Sequence, residues 1–534
     1  MSNWMKPWRW QPDAAAFVIL VSLANVALYH APLYRFTAAR VDLFTFNGAT
    51  TLLTLLVAVY VVTAVVLFCA SLVSRRLLKA TAMVMALGNS IAVYFMDTYQ
   101  AVLDKTMMGN VFTTDRAEVV SYLHPKLLLY FLLLGVLPCV LLAKFRIRTS
   151  RPVRTALHAL ATLIAGVGWI YLASGTWLWI DKNAKQLGGM VMPWSYVANA
   201  VRYQSSQLDA PEPIRLPPAT FTASGPTVVV LAIGEAARAG NFALYGYDRP
   251  TNPRLTALGA VPLADTTSCA TYTTAAVGCI LSPMRSGSSD YEPLPNYLYR
   301  SGVDVIWRAN NWGEPPHLEV ATYQRARELR EGCEGPGCDH DEVLLNGLAE
   351  RISTSDHERV FVVLHMRGSH GPAYYSEYPP RFEVFRPVCE SVDLSECSRE
   401  ALVNAYDNTI LYTDYVLGLV IEMLRGMPDT PSALLYLSDH GESLGEYGLY
   451  LHGTPWTIAP DVQKIIPFLV WTSEAFRARE GISMDALARQ AHHSQANVFH
   501  SVMGAFDMTS DVYDPTLDVF AAAGDREAIQ AAQP

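Results

Sequence analysis

Thr-Val-Val-Val-Leu-Ala-Ile-Gly-Glu, residues 227–235, and Tyr-Leu-Ser-Asp-His-Gly-Glu, residues 436–442, decide how this chain is read. Each is an apolar run of strand length that stops abruptly at hard, charged side chains. Near-continuous apolar strands belong to parallel sheets buried on both faces. In open sheets of that kind, reactive groups gather at the carboxyl ends of the strands. Glu235 is therefore expected beside Asp439 and His440, although they are far apart in the chain.

Outward from these two runs, further strand candidates lie at 303–307, 360–364 and 465–471, with 227–233 and 433–437 as the apolar cores of the first pair. Helical candidates at 341–352, 399–425 and 484–503 fall between them. The alternation predicts an α/β domain with a mostly parallel sheet over residues 226–534. Its strand ends carry Glu235, then Arg308, Asn310 and Asn311, then His365 and His370, then Asp439 and His440, with His452 in the following loop. Any one of these histidines could be an ordinary hydrogen-bonded loop residue. Ionisable groups after nearly every strand point instead to a site. Carboxylate plus imidazole, with no vicinal cysteine, suits Zn²⁺ or Mn²⁺. Glu235, Asp439 and His440 would supply three ligands and leave a fourth position for a reacting oxygen. The hydroxyl-rich loop from Ser268 to Cys279 offers that oxygen, because a metal can turn a weakly nucleophilic hydroxyl into an alkoxide. Chemistry alone does not separate Thr271, Thr273 and Thr274.

The front of the chain has a different solvent. Of 534 residues 51% are hydrophobic, and the excess is concentrated in five stretches near 14–30, 49–72, 78–96, 124–143 and 156–180. Each approaches the roughly 20 residues that cross a bilayer as a helix. Lys6 and Arg9 precede the first. Arg75, Arg76 and Lys79 lie between the second and third, and Lys144, Arg146, Arg148, Arg151 and Arg154 between the fourth and fifth. The positive-inside rule makes these segments cytoplasmic and everything after about residue 181 external. The loop 97–122, with Asp97, Asp104, Asp115 and Glu118, then also lies outside. The expected layout is a five-helix transmembrane domain at 1–181, interfacial helices and a proline-rich linker through Pro211, Pro213, Pro217 and Pro218 at 182–225, and the α/β domain at 226–534, with a polar tail after Asp525.

Six cysteines fall in close pairs, Cys269/Cys279, Cys333/Cys338 and Cys389/Cys397, which suits local disulfides in an oxidising compartment. Zinc structural ligation is the alternative, but no pair has CxxC spacing. Cys69 and Cys139 lie within expected spans as small apolar residues. A net charge of −9 gives no reason to expect nucleic acid as a partner.

The motifs Ile-Gly-Glu-x-x-Arg (233–238), Asn-Phe-x-Leu-Tyr-Gly-Tyr (241–247), Gly-Ser-His-Gly-Pro (368–372), Asn-Ala-Tyr-Asp-Asn-Thr-Ile (404–410) and Ser-Asp-His-Gly-Glu-Ser-Leu-Gly-Glu (438–446) resemble the phosphoethanolamine transferases that modify lipid A, the family that includes the mobile colistin-resistance enzymes. The resemblance runs over nearly the whole chain. It implies a five-span inner-membrane protein with a periplasmic domain of the alkaline phosphatase and sulfatase superfamily, acting as a monomer. Position by position it implies zinc held by Glu235, Thr273, Asp439 and His440, with Thr273 the nucleophile. His370 and His452 would contact phosphate or a second zinc, His365 would line the same pocket, and Asn110, Thr114 and Glu118 would hold the phospholipid head group. The implied reaction moves phosphoethanolamine from phosphatidylethanolamine to lipid A through a phosphoethanolamine-threonine, weakening polymyxin binding.

Two departures stand out. Trp312-Gly313-Glu314-Pro315-Pro316-His317 replaces a stretch in which relatives have a cysteine pair and a lysine, and Gly278 stands where they usually have proline. Neither touches the expected metal ligands. The rival readings are transfer to a lipopolysaccharide core sugar, phosphoglycerol transfer to a glycan, a plain phosphodiesterase or sulfatase, and a membrane-anchored binding protein without catalysis. The loop 269–279 lacks the Cys/Ser-x-Pro-x-Arg sequence that sulfatases need.

Overall fold

A computed structural model describes residues 11–113, 119, 122–208, 212–284, 290–490 and 492–521. Expectations that rest on Lys6, Arg9, Thr114, Asp115, Glu118, Pro211 and the tail after Asp525 lie outside the described residues. The chain forms two compact units, one helical and one α/β.

In the helical unit, Phe46–Val73, Arg75–Thr98, Pro125–Lys144 and Pro152–Leu172 are long and apolar enough to cross a membrane. At 1.5 Å per residue, even the shortest covers about 30 Å, the thickness of the hydrocarbon layer. Ala14–Tyr29 makes a fifth when its continuation Ala31–Ala38, bent by 57°, is counted with it. The bend falls at His30, two residues before Pro32; a proline there has no N–H to extend the preceding helical ladder. The stretch expected to span 156–180 stops earlier, at Leu172. Ser174–Thr176 then turns the chain into a separate short helix, Trp177–Lys182.

Buried amides need partners in apolar surroundings, and here they tie the segment after the last span back into the bundle. Asn89 Nδ2 donates to Asn25 Oδ1 (2.7 Å), Asn25 Nδ2 to the Met192 carbonyl (3.1 Å), and Tyr196 OH to Asn89 Oδ1 (2.9 Å). Asn110 lies on the helix Lys105–Thr113.

The α/β unit is built on seven strands: β2 (Thr227–Gly234), β3 (Val261–Pro262), β4 (Asp304–Ala309), β5 (Thr322–Arg325), β6 (Arg359–His365), β7 (Ser432–Ser438) and β10 (Phe468–Thr472). Their order is β3-β10-β7-β2-β6-β4-β5. The five strands from β7 to β5 run parallel, while β10 and β3 close one edge antiparallel. Every residue of β2 and β7 is buried, as apolar strands covered on both faces must be. The edge strands β3 and β5 are short and half-exposed, so they lack the apolar signature that marks the centre. The register aligns the carboxyl ends, with Gly234 opposite Ser438 and Ile233 opposite His365.

Three expected segments differ. The stretch foreseen as a linker is in its second half part of this unit: Leu216 enters the core, and β1 (Thr220–Phe221) pairs with β11 (Met508–Thr509). The helix foreseen at 484–503 divides into Met484–Ala488 and Asn497–Ala505, because the backbone between them is committed elsewhere. Thr267 N donates to the His493 carbonyl at 3.1 Å. The helix foreseen at 341–352 is a 3₁₀ turn, Asp341–Leu345, followed by Leu348–Ser353 after the left-handed Gly347.

Candidate metal and transfer site

Where β2 and β7 end, the chain turns sharply and leaves Glu235, Asp439 and His440 wholly buried. The carbonyl of Gly234 accepts from Asp439 N (3.0 Å), which fixes the two turns to each other. From β6 the chain returns over the site. Gly368 adopts φ +52°, and a Cβ there would lie 2.8 Å from Glu235 N, so any side chain would force the backbone to shift. Asp341 holds this return in place. Its carboxylate accepts from Asn310 Nδ2, Arg367 N and Gly368 N, each at 2.9 Å. His452 arrives on the hairpin of β8 (Ser443–Leu444) and β9 (Tyr450–Leu451).

Glu235 Oε1 lies 3.3 Å from His440 Nε2 and 3.4 Å from His370 Nδ1, and His440 Nε2 lies 3.3 Å from Asp439 Oδ2. Yet Glu235 Oε1, Asp439 Oδ2 and His440 Nε2, all buried, have no hydrogen-bond partner among the described residues. Buried polar atoms are paired almost without exception, so three orphaned atoms facing one another are a cradle for a cation. Ligands about 2.0–2.1 Å from a tetrahedral zinc lie about 3.3 Å apart, which is the spacing found. Glu235, His440 and His452 also bring one ligand atom each within 4.8 Å of the others. His440 Nδ1 faces the Gly441 carbonyl at 2.9 Å. A carbonyl only accepts, so Nδ1 carries hydrogen and Nε2 is the atom turned to the cradle. His452 Nδ1 meets Glu442 Oε2 at 2.9 Å, which turns its ring in the same way.

The electrostatics suit a cation between these groups. Burial works against ionisation of Glu235, but His440 and His370 outweigh it and hold the carboxyl well below its usual range. Burial and the adjacent Glu235 push Asp439 up to about 8. His440 is raised to about 9, burial opposing the charge while Asp439 and Glu235 favour it. The metal-free cluster therefore retains protons at neutral pH that a divalent cation would displace. Burial pushes His365 toward its neutral form, against the pull of Glu314, Glu235 and Asp341. This histidine is fully buried and makes an edge contact with Trp307.

The three threonines of the loop part company. Thr271 Oγ1 donates to the Thr454 carbonyl at 2.6 Å and is spent on the scaffold. Thr273 Oγ1 donates to Glu235 Oε2 at 3.0 Å. Thr273 opens the helix Thr273–Ile280, whose first intrahelical bond runs from Ala276 N to the Tyr272 carbonyl. The hydroxyl thus sits at the end of a helix that favours negative charge. Cys269 and Cys279 are bonded across this loop, and Cys333–Cys338 and Cys389–Cys397 are bonded too.

The structure thus brings Glu235, Thr273, His370, Asp439, His440 and His452 together. His365 lies buried at the end of β6, while Asn110 belongs to the other unit. Asn311 Nδ2, which donates to Glu235 Oε2 at 2.8 Å, Glu442 and Asp341 were not assigned roles from sequence. Asn311 and Glu442 were marked there only by a position beside strand ends, and Asp341 by nothing local.

The sulfatase family model matches residues 227–508, and the model described as phosphoethanolamine transferase EptA/EptB matches 61–208. Phosphoethanolamine transferase EptA of Helicobacter pylori is 39% identical over 94% of this chain and 95% of its own length. Phosphatidylethanolamine transferase Mcr-1 of Escherichia coli is 29% identical over 82% and 85%. The integral membrane lipooligosaccharide phosphoethanolamine transferase A of Neisseria meningitidis superposes with a TM-score of 0.85 at 27% identity, covering 96% of this chain and 99% of that one.

Proposed function

Because the chain belongs to the EptA family of phosphoethanolamine transferases, with an α/β unit of the sulfatase family, we propose that it transfers phosphoethanolamine from phosphatidylethanolamine to a lipid A phosphate. The observation that carries the reading is the Thr273 hydroxyl, 3.0 Å from a buried carboxylate whose other oxygen faces Asp439 and His440 without a hydrogen bond. Glu235, Asp439 and His440, with Thr273, would hold a zinc ion, and His370 and His452 would meet phosphate or a second ion. Zinc would supply Lewis-acid stabilisation of phosphoryl charge and lower the pKa of the threonine hydroxyl.

Thr273 Oγ1 forms a bond to the donor phosphorus, and the bond from phosphorus to the glycerol oxygen breaks. The hydroxyl proton points at Glu235 Oε2. His452, turned by Glu442, is the group to protonate the departing diacylglycerol oxygen. A lipid A phosphate oxygen, giving its proton to His452, then attacks the phosphoethanolamine on Thr273; the bond from phosphorus to Oγ1 breaks, and the threonine recovers its proton from Glu235. The amides of the first helical turn, which have no intrahelical partner, favour the added phosphate on Thr273.

Both substrates are lipids, which accounts for the helical unit. We assign the chain to the bacterial inner membrane, with its α/β unit in the periplasm, where Cys269–Cys279 and its fellows are stable. Asn110 of the other unit would contact the donor head group. An ethanolamine ammonium offsets one phosphate charge, so polymyxin binding would weaken. The test is mass spectrometry of lipid A from cells that express wild type or Thr273→Ala. A phosphoethanolamine-sized gain with wild type alone supports the reading, and no gain with intact, zinc-loaded wild type sinks the lipid A acceptor.

A further inference from the structure

Asn311 and Gly313 lie beside Thr273, and Glu314 follows them directly in the chain. Asn311 Nδ2 is anchored on Glu235. Gly313 has φ +102°, and a Cβ there would lie 3.2 Å from Thr273 Cγ2 and 3.6 Å from Thr274 Cα. The next side chain, Glu314, is 14% exposed. Its Oε1 accepts from Tyr323 OH and from Arg325 Nη2, the latter at 3.2 Å. Both bonds fall on Oε1 and fix the carboxylate. Arg325 is 55% exposed and screened by water, so it orients Glu314 more than it neutralises it.

The other side of the pocket is built for anions. A cation cradle, two further imidazoles and a helix N-terminus surround the place where phosphoryl oxygens would lie. A phosphoethanolamine group also carries an ammonium, two methylenes from its phosphate. That ammonium is repelled by the phosphate-binding side and needs a carboxylate away from it.

We propose that Glu314 binds the ammonium of phosphoethanolamine while the group is transferred through Thr273, and so selects ethanolamine donors over diesters with a neutral head group. The proposal rests on the transfer reading above.

The test uses the zinc-loaded full-length protein with vesicles of phosphatidylethanolamine or phosphatidylglycerol. Intact-mass analysis follows the adduct on Thr273, and initial rates give KM and kcat for each donor. A charge-assisted hydrogen bond leads us to expect that Glu314→Gln raises KM for phosphatidylethanolamine by about 10-fold, and that its preference over phosphatidylglycerol falls by the same factor. Glu319→Gln, nearby on the same stretch, leaves the preference as in wild type. Should Glu314→Gln fail to fold, Glu314→Asp, which keeps the charge on a shorter arm, gives an intermediate preference. Unchanged preference in either variant overturns the proposal. Wild type that forms no adduct from either donor overturns the transfer reading, and the proposal with it.

Discussion

Asp407 and Asp439 are both fully buried carboxylates of the same unit, and their surroundings are opposite in kind. Asp407 accepts from Asn241 Nδ2 (2.6 Å), Tyr247 OH (2.8 Å) and Arg249 Nη1 (2.9 Å). Burial raises it, and these three partners work against the rise. Asp439 has one oxygen on the amides of Ala236 and His440, while the other faces Glu235 and His440 without a hydrogen bond. Burial raises it too, and the neighbouring carboxylate adds to the rise. A buried charge with both oxygens hydrogen-bonded holds the scaffold together. A buried charge left half-bonded beside another carboxylate destabilises the metal-free fold, and it becomes favourable once a cation arrives.

The sharpest way to break this contrast is to remove each group in turn. Glu235→Gln should lower transfer on the order of 10³-fold or more, measured as phosphoethanolamine added to lipid A per unit of folded protein. Asp407→Ala should instead lose about 3 kcal/mol in urea unfolding while still taking up zinc. If Asp407→Ala loses zinc as fully as Glu235→Gln does, the two clusters are not distinct.

A gentler probe is pH. His440 has an ordinary value of 6.5 and is raised to about 9; Asp439 is raised from 3.8 to about 8. Both are raised in the folded state, so the stability they lend the metal-free protein is present at low pH and is lost as pH rises through 8–9. Metal-free Tm should therefore fall between pH 6.5 and 9, whereas zinc affinity should rise over the same range as those protons leave. Calorimetry in buffers of different ionisation enthalpy counts the released protons. Zinc binding that is independent of pH would contradict the proton-sharing cluster. The smallest effect is expected at Gly368, where alanine meets both a positive φ and the Glu235 backbone. Gly368→Ala should cost about 1–2 kcal/mol in unfolding free energy.

The central strands were legible because they are apolar on both faces and end at charged residues. Edge strands β3 and β5 were not, since two to four half-exposed residues have no distinguishing period. The metal ligands were legible as a set at strand ends, whereas Thr273 could be told from Thr271 by chemistry only once partners were known. Thr271 is taken by the Thr454 carbonyl from a loop distant in sequence. Glu442 and Asp341 act through another residue or through backbone amides, and such roles leave no mark in composition or spacing.

By itself, then, the chain's pattern of apolar runs determined two units with different solvents, a mostly parallel sheet and the strand ends where its chemistry gathers. Those properties depend on side-chain period and on local backbone rules. Only the tertiary structure decided which hydroxyl faces Glu235, which buried oxygens go unpaired and where Glu314 stands, because each depends on contacts between segments that sequence order does not bring together.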